Sequence, residues 1–218
     1  LVPNLGVVDV DRHRSFVMAD IPGLIEGASD GAGLGIRFLK HLARTRFLLH
    51  LVDIAPYDET DPVHAVNVIA HELEKFSPTL ASLPRWLILN KTDLLPSADE
   101  VDACCDDIVA RLGWTGPVFR TSGLTKDGAM AVCYRLMEAI EEQRAAEAAD
   151  PALAEAEQAK REQLVQEGRD RIRELDVRRS AERRARRMGI DPSELNDDDD
   201  DDDWDEDAED APEIIYRP

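Results

Sequence analysis

Apolar residues fall in short runs, and each run ends at a polar residue or a turn. Leu5–Val10, with GVVDV at its centre, reads as a strand. Asp11–Ser15 is a polar turn, and FVMA at Phe16–Ala19 is a second strand that pairs with the first as a hairpin. Leu34, Phe38, Leu42 and Ala43 recur at helical spacing, which predicts a helix over 34–47. LLHLVD at Leu48–Asp53 is almost wholly apolar until its last residue, as expected of a strand buried on both faces of a parallel sheet. The pattern then predicts a helix over 62–83, with Pro62 in its first turn. A buried strand follows from Trp86, opening on WLIL and leaving through NKTD to Asp93. A helix over 101–112, a short strand over 117–120 and an amphipathic helix over 127–142 complete the series. Strands alternate with helices, and polar groups collect where strands end. In an open α/β sheet that edge is where ligands bind.

Composition changes this picture only toward the carboxyl end. From about Ala145 the chain is mostly Ala, Glu, Gln and Arg, and from Asp191 it is dominated by Asp. The formal net charge of -20 belongs largely to that tail, so it says little about the folded part. The three cysteines show no metal-ligand or CxxC spacing, which fits reduced thiols in a cytoplasmic protein. No apolar run approaches membrane-spanning length, and no signal peptide is visible.

Three loops after strands carry candidate chemistry. Asp20-Ile21-Pro22-Gly23 has the form DxxG. A strand-end Asp can hold Mg²⁺ directly or through a water. A Gly three residues on lets its N–H approach a terminal phosphate. Loss of that phosphate would release the loop, and Gly27, Gly31, Gly33 and Gly35 ease its rearrangement. The same four residues also fit a strand followed by a Pro-Gly turn. Asn90-Lys91-Thr92-Asp93 is the sharper signal. An Asn amide pairs with a ring nitrogen and an exocyclic oxygen, a carboxylate accepts from the N1–H and amine of guanine, and a Lys stem covers the base face. Adenine lacks that N1–H. At Thr121-Ser122-Gly123-Leu124, the Gly123 N–H suits the guanine oxygen, and Ser122 is placed to brace Asp93. One Mg²⁺-phosphate loop and two guanine loops describe a GTP site.

DIPGLIEGASDGAGLGIRFLKHLARTRFLLHLVD together with NKTDLL resembles the Obg family of translation-factor-class GTPases, over roughly residues 1–140. LVPNLGVV looks like the segment just past that family's switch I threonine, so Leu1 and Val2 are expected beside the nucleotide. The resemblance implies that Asp20 is the switch II Mg²⁺ residue, acting through water, with Ile21, Pro22 and Gly23 at the γ-phosphate. It gives Asn90, Lys91, Thr92 and Asp93 to the guanine, with Ser122, Gly123 and Leu124 as the family's Ser-Ala-Leu loop. Gly at the middle position keeps the backbone N–H. Leu24 stands where many GTPases carry a water-orienting Gln, which implies slow intrinsic turnover, and no catalytic base is assigned.

The implied fold is a P-loop NTPase-type G domain, a Rossmann-like three-layer α/β/α arrangement over residues 1–144. A charged, Arg-rich helical extension follows over 145–190, and an acidic disordered tail over 191–218. The implied activity is GTP hydrolysis to GDP and phosphate by a Mg²⁺-dependent monomeric switch in large ribosomal subunit assembly. Six Arg against two acids in DVRRSAERRARRMG suit rRNA phosphates. The unbroken Asp197–Asp203 run, followed by Trp204, suits basic ribosomal proteins and cannot form a core. Its ending, IIYRP, resembles the carboxyl-terminal extension of proteobacterial members.

No GxxxxGK followed by Ser or Thr occurs, and the first residue is Leu1 rather than Met. The expectation is therefore a fragment that lacks the P-loop and an amino-terminal glycine-rich domain, is incomplete at its amino terminus, has its main Mg²⁺ ligands upstream, and is inactive alone. The alternative expectation is a non-hydrolysing interaction protein built on a truncated G domain.

Overall fold

The computed structural model describes residues 4–20 and 44–188. The chain divides into two compact units, residues 1–177 and 178–218. In the first, β1 (Asn4–Asp9) and β2 (Ser15–Asp20) form an antiparallel hairpin in which Asn4 lies opposite Asp20. Asp11 makes the turn: its Oδ1 accepts from the His13 and Arg14 N–H groups, and its Oδ2 takes the Arg14 Nε at 2.7 Å.

The predicted helix over 34–47 lies mostly outside the described residues. Its last residues, 45–47, are not helical and lead straight into β3 (Leu48–Asp53). The predicted helix over 62–83 is two helices, α1 (Pro62–Phe76) and α2 (Pro78–Ala81). Pro78 has no N–H to continue α1 and disfavours helical geometry at the residue before it, so Ser77 turns extended (φ -160°). Ser77 then caps α2 by accepting from the Leu80 N–H at 2.9 Å.

β4 runs Arg85–Asn90, shorter than predicted, because Lys91 adopts a left-handed φ of 70°. A 3-10 turn over Thr92–Leu94 leads to α3 (Ala98–Leu112). Ser97 caps its start, its hydroxyl accepting from the Glu100 N–H at 3.3 Å and donating to the Glu100 carboxylate at 3.2 Å, and Gly113 closes its end at φ 57°. β5 (Val118–Arg120), α4 (Ala129–Ala149) and α5 (Pro151–Met188) complete the chain. Asp150 ends α4 and caps α5, accepting from the Ala152 N–H at 3.0 Å.

β3, β4 and β5 form a parallel sheet in that order. Alternation along β4 assigns its faces. Leu87 and Leu89 meet Val63 and Val66 of α1 and Cys105 and Ile108 of α3. Trp86 and Ile88 meet Val132, Leu136 and Ile140 of α4, with Val10 and Phe16 from the hairpin region. Trp86 also stacks on Phe119 at 5.4 Å and meets Phe47 edge-on. These are the three layers expected from the strand–helix alternation. Leu87 and Leu89 have no exposed surface, and each contributes about 1.5–3 kcal/mol by burial.

A further cluster lies where the strands begin. Leu48, Leu73, Phe76, Leu80 and Leu83 close around Leu164 of α5, with Ile172 beside it. Glu167 accepts from Ser77 Oγ at 2.6 Å, from Thr79 N at 3.0 Å and from Thr79 Oγ1 at 2.7 Å. Burial raises the Glu167 pKa, but these hydrogen bonds and that of Gln163 outweigh it, so the net shift is downward. Glu147 receives Arg46, one contact at 3.2 Å, and Arg161 at 3.4 Å. The apolar residues of this helix are too few for a heptad seam. Leu164 and the part-buried Glu167 carboxylate still anchor it.

In the second unit the described residues are 178–188. They continue the helix, with Arg178, Arg183, Arg184 and Arg187 exposed. Among the described residues no helix is long and apolar enough to cross a membrane.

Candidate functional site

Parallel pairing brings three strand ends together. Asp53 lies opposite Asn90, and Leu89 opposite Arg120, so the loops after β3, β4 and β5 start side by side. The Thr121 N–H donates to the Leu89 carbonyl at 2.8 Å, which continues the ladder one residue past β5. Thr92 returns the contact, donating to the Thr121 carbonyl through its N–H at 3.2 Å and through Oγ1 at 3.1 Å. The β4 and β5 loops are thereby tied together at their bases.

Asn90 Oδ1 accepts from the Gly123 N–H at 2.9 Å and from Thr121 Oγ1 at 3.3 Å. Its Nδ2 donates to nothing among the described residues. Ser122, 1% exposed, donates its hydroxyl to Asp93 Oδ1 and accepts from the Thr125 N–H at 3.0 Å. Asp93 Oδ2 accepts nothing among the described residues. The site thus presents an amide donor and a carboxylate oxygen, each backed by a partner on the neighbouring loop. A base with an acceptor on one edge and donors on the other fits such a pair. The bracing of Asp93 by Ser122 is as the sequence predicts. The Gly123 N–H differs: it donates to Asn90, and the next N–H, of Leu124, has no partner among the described residues. The Leu124 side chain is exposed.

Two residues of this site escaped sequence reasoning. Asp53 reaches Lys91 Nζ at 2.5 Å. Its position at the end of LLHLVD was visible, but its partner depended on strand register. Gly128 starts α4 at φ 70°, and a Cβ there would meet the Arg120 carbonyl oxygen at 2.1 Å. Only glycine fits, and this contact sets α4 under the loop that holds Ser122.

Asp20 ends β2, exposed, on the other sheet. No hydrogen bond or ion pair joins it to the Asn90–Asp93 cluster. Leu1, Val2, Ile21, Pro22, Gly23 and Leu24 lie outside the described residues. Among the described residues no three His, Cys, Asp or Glu side chains are grouped to hold a metal ion. Asp20 alone does not make a Mg²⁺ shell. An open cleft of about 410 Å³ between α3 and β5 is lined by Cys105, Asp106, Val109, Val118, Phe119 and Arg120, and by none of the loop residues above. The cysteines are free, and burial raises all three thiol pKa values, so they act as packing residues.

Comparison with known proteins agrees with the site. Residues 1–91 match the family model described as 50S ribosome-binding GTPase. The whole chain is 56% identical over 218 residues to GTPase Obg of Psychrobacter sp. (strain PRwf-1), and it spans about half of that relative, 52% of its length. The match overturns the expectation of a carboxyl-terminal fragment lacking the glycine-rich domain and the P-loop, with a G domain incomplete at its amino terminus: the GTPase family model is matched over residues 1–91, from the first residue on. Residues 1–91 are themselves the matched GTPase region. That expectation rested on one absent eight-position motif and on a first residue that is not Met.

Proposed function

We propose that this chain binds guanine nucleotides at the ends of β4 and β5 and belongs to a Mg²⁺-dependent, monomeric GTPase that acts as a switch in large ribosomal subunit assembly. The observation that carries the reading is the braced pair of Asn90 and Asp93. The free Asn90 amide donates to the ring nitrogen of guanine. Asp93 accepts from its N1–H and amine while Ser122 holds the carboxylate in place. Adenine offers a lone pair where guanine offers N1–H, so it meets Asp93 acceptor to acceptor. Sites of this kind discriminate by leaving a buried or oriented group unpaired.

The remaining parts of the reading come from sequence resemblance. Leu1 and Val2 flank the nucleotide. Asp20, through a water, faces Mg²⁺, and Ile21, Pro22 and Gly23 follow the terminal phosphate. Lys91 covers the base, and Thr92, Gly123 and Leu124 complete the loops. Leu24 has no hydrogen-bonding group to orient a water, so intrinsic hydrolysis is slow and depends on help from a partner or cation. The family description, 50S ribosome-binding GTPase, supports the ribosomal role. The exposed arginines of 178–188 suit rRNA phosphates, and the acidic run suits basic ribosomal proteins. The organisation is a G domain over 1–144, an Arg-rich extension over 145–190 and an acidic tail over 191–218.

Asp93→Asn tests the base assignment. Xanthine replaces guanine's amine donor with an acceptor, which an amide can match. Loss of a charge-assisted hydrogen bond should weaken GTP about 10- to 100-fold, and xanthosine triphosphate should gain relative to GTP. Titration of both nucleotides against both proteins measures this. An unchanged preference for GTP in the variant would remove Asp93 from the base.

A further inference from the structure

Asp53 closes β3 beside Asn90, its register partner on β4. Its two oxygens have different tasks. Oδ1 accepts from the Ala55 N–H at 3.0 Å and shapes the turn that leaves β3. Oδ2 accepts from Lys91 Nζ at 2.5 Å across the strand ends. Asp53 is the one carboxylate paired with Lys91 among the described residues. Lys91 is itself unusual. Its φ of 70° lies in the left-handed region, which is unfavourable for a residue with a Cβ. Its side chain is half exposed, and a lysine in that setting ordinarily samples many rotamers. Here the backbone is fixed at one end of the stem and the charge at the other, between Asn90 and the Asp93 turn.

A half-exposed ion pair adds little to folding stability. The consequence of this one is geometric. We infer that Asp53 is a positioning residue of the guanine site, clasping Lys91 so that its methylene stem lies ready over the face of the base. The inference rests on the proposed guanine-binding function and adds to it a residue from the β3 loop. It also explains why the β3 end takes part in a site otherwise built from the β4 and β5 loops. Binding then needs no separate ordering of the lysine, which is the general advantage of a preorganised side chain.

A double-mutant cycle on the gene product at its natural length tests this, with a fluorescent GDP analogue as the probe. Asp53→Ala, Asp53→Asn, Lys91→Ala and the Asp53→Ala/Lys91→Ala double variant are compared with the wild type, and thermal midpoints are measured in parallel. Asp53→Asn is isosteric and keeps the acceptor for Ala55, but it loses the charge that holds Lys91. Both Asp53 variants should weaken GDP about three- to fivefold, with little change in thermal midpoint. In the Lys91→Ala background the loss of Asp53 should add less than about twofold, because its effect passes through the lysine. Wild-type affinity in Asp53→Asn would mean that only the Ala55 turn matters, and the inference fails. The same factor with and without Lys91 would also overturn it. A wild-type protein that does not bind the GDP analogue at micromolar concentration overturns the guanine reading itself, and this inference with it.

Discussion

At the amino end of β3 and β4, Ser77 and Thr79 are buried and close on Glu167, and Leu164 seals the cluster with 2% of its surface exposed. At the carboxyl end of the same strands, Asn90, Lys91 and Asp93 are held just as definitely, yet Lys91 and Asp93 stay exposed and Asn90 partly so. Both ends use hydrogen bonds between chain segments far apart in sequence. They differ in what is left over. The amino end satisfies its polar groups and excludes water, which is what anchoring a helix requires. The carboxyl end leaves the Asn90 amide donor and one Asp93 oxygen without a partner among the described residues. Residual capacity on a braced side chain, rather than exposure as such, separates the proposed binding edge from the packing edge.

The sharpest way to break that contrast is Gly128→Ala. The new Cβ would overlap the Arg120 carbonyl oxygen, and the left-handed φ adds strain. Backbone must move, at a cost of about 3 kcal/mol or more. The displaced start of α4 should also loosen the Ser122–Asp127 loop, whose ends are joined by a 3.0 Å backbone hydrogen bond. Urea denaturation gives the stability, and nucleotide titration should show weakened binding in the same variant. Full stability with intact binding would mean that the contact at Gly128 is not rigid.

His50 lies between the two ends, on the face of β3 that also presents Leu48 and Val52. Its Nδ1 is buried and has no hydrogen-bond partner among the described residues. Burial, aided by the Arg85 charge, lowers its pKa to about 4 from the ordinary 6.5. The unfolded chain therefore takes up a proton near pH 6.5, while the folded chain resists until about pH 4. Over that window the unfolded state binds more protons, so stability falls as pH drops. The loss is about 2–3 kcal/mol by pH 4.5, and the contribution levels off below pH 4. Denaturation midpoints at pH 7 and pH 4.5 should show this slope in the wild type and a flatter one in His50→Leu. Equal slopes would place the acid sensitivity elsewhere.

The smallest of these effects isolates the amino end. Glu167→Gln keeps the shape but halves the acceptor oxygens facing Ser77 and Thr79. The expected destabilisation is about 1 kcal/mol, with nucleotide affinity unchanged, since no contact of Glu167 reaches the strand ends. A change in affinity would show that the two ends are coupled through β3.

The candidate loops could be read from the chain because their chemistry is local. NKTD follows an uninterrupted apolar strand, and Thr121–Leu124 follows the next, so strand-end placement alone predicted that they meet. The Asp93–Ser122 bond was predicted on that basis and is present. Boundaries were less legible. The continuous pattern over 62–83 hid the break at Ser77-Pro78, because α2 keeps its apolar residues in phase with the core. α5 was harder still. With charged residues on most positions, its attachment through Leu164 and Glu167 has no periodic signature. The end of β4 came earlier than predicted because Lys91 turns left-handed there, although its side chain would suit a strand exit.

Apolar runs and their spacing determined the alternation of strands and helices and the buried character of β3 and β4, and side-chain chemistry pointed to the residues proposed to meet guanine. Those features follow from hydrophobic periodicity and side-chain chemistry, which are properties of neighbouring residues. Only the tertiary structure decided that Asp53 holds Lys91, that Gly128 must lack a Cβ, that the Gly123 N–H is spent on Asn90, and that Glu167 caps α2. Each of these depends on strand register or helix docking to within an ångström, and packing between distant segments sets that distance.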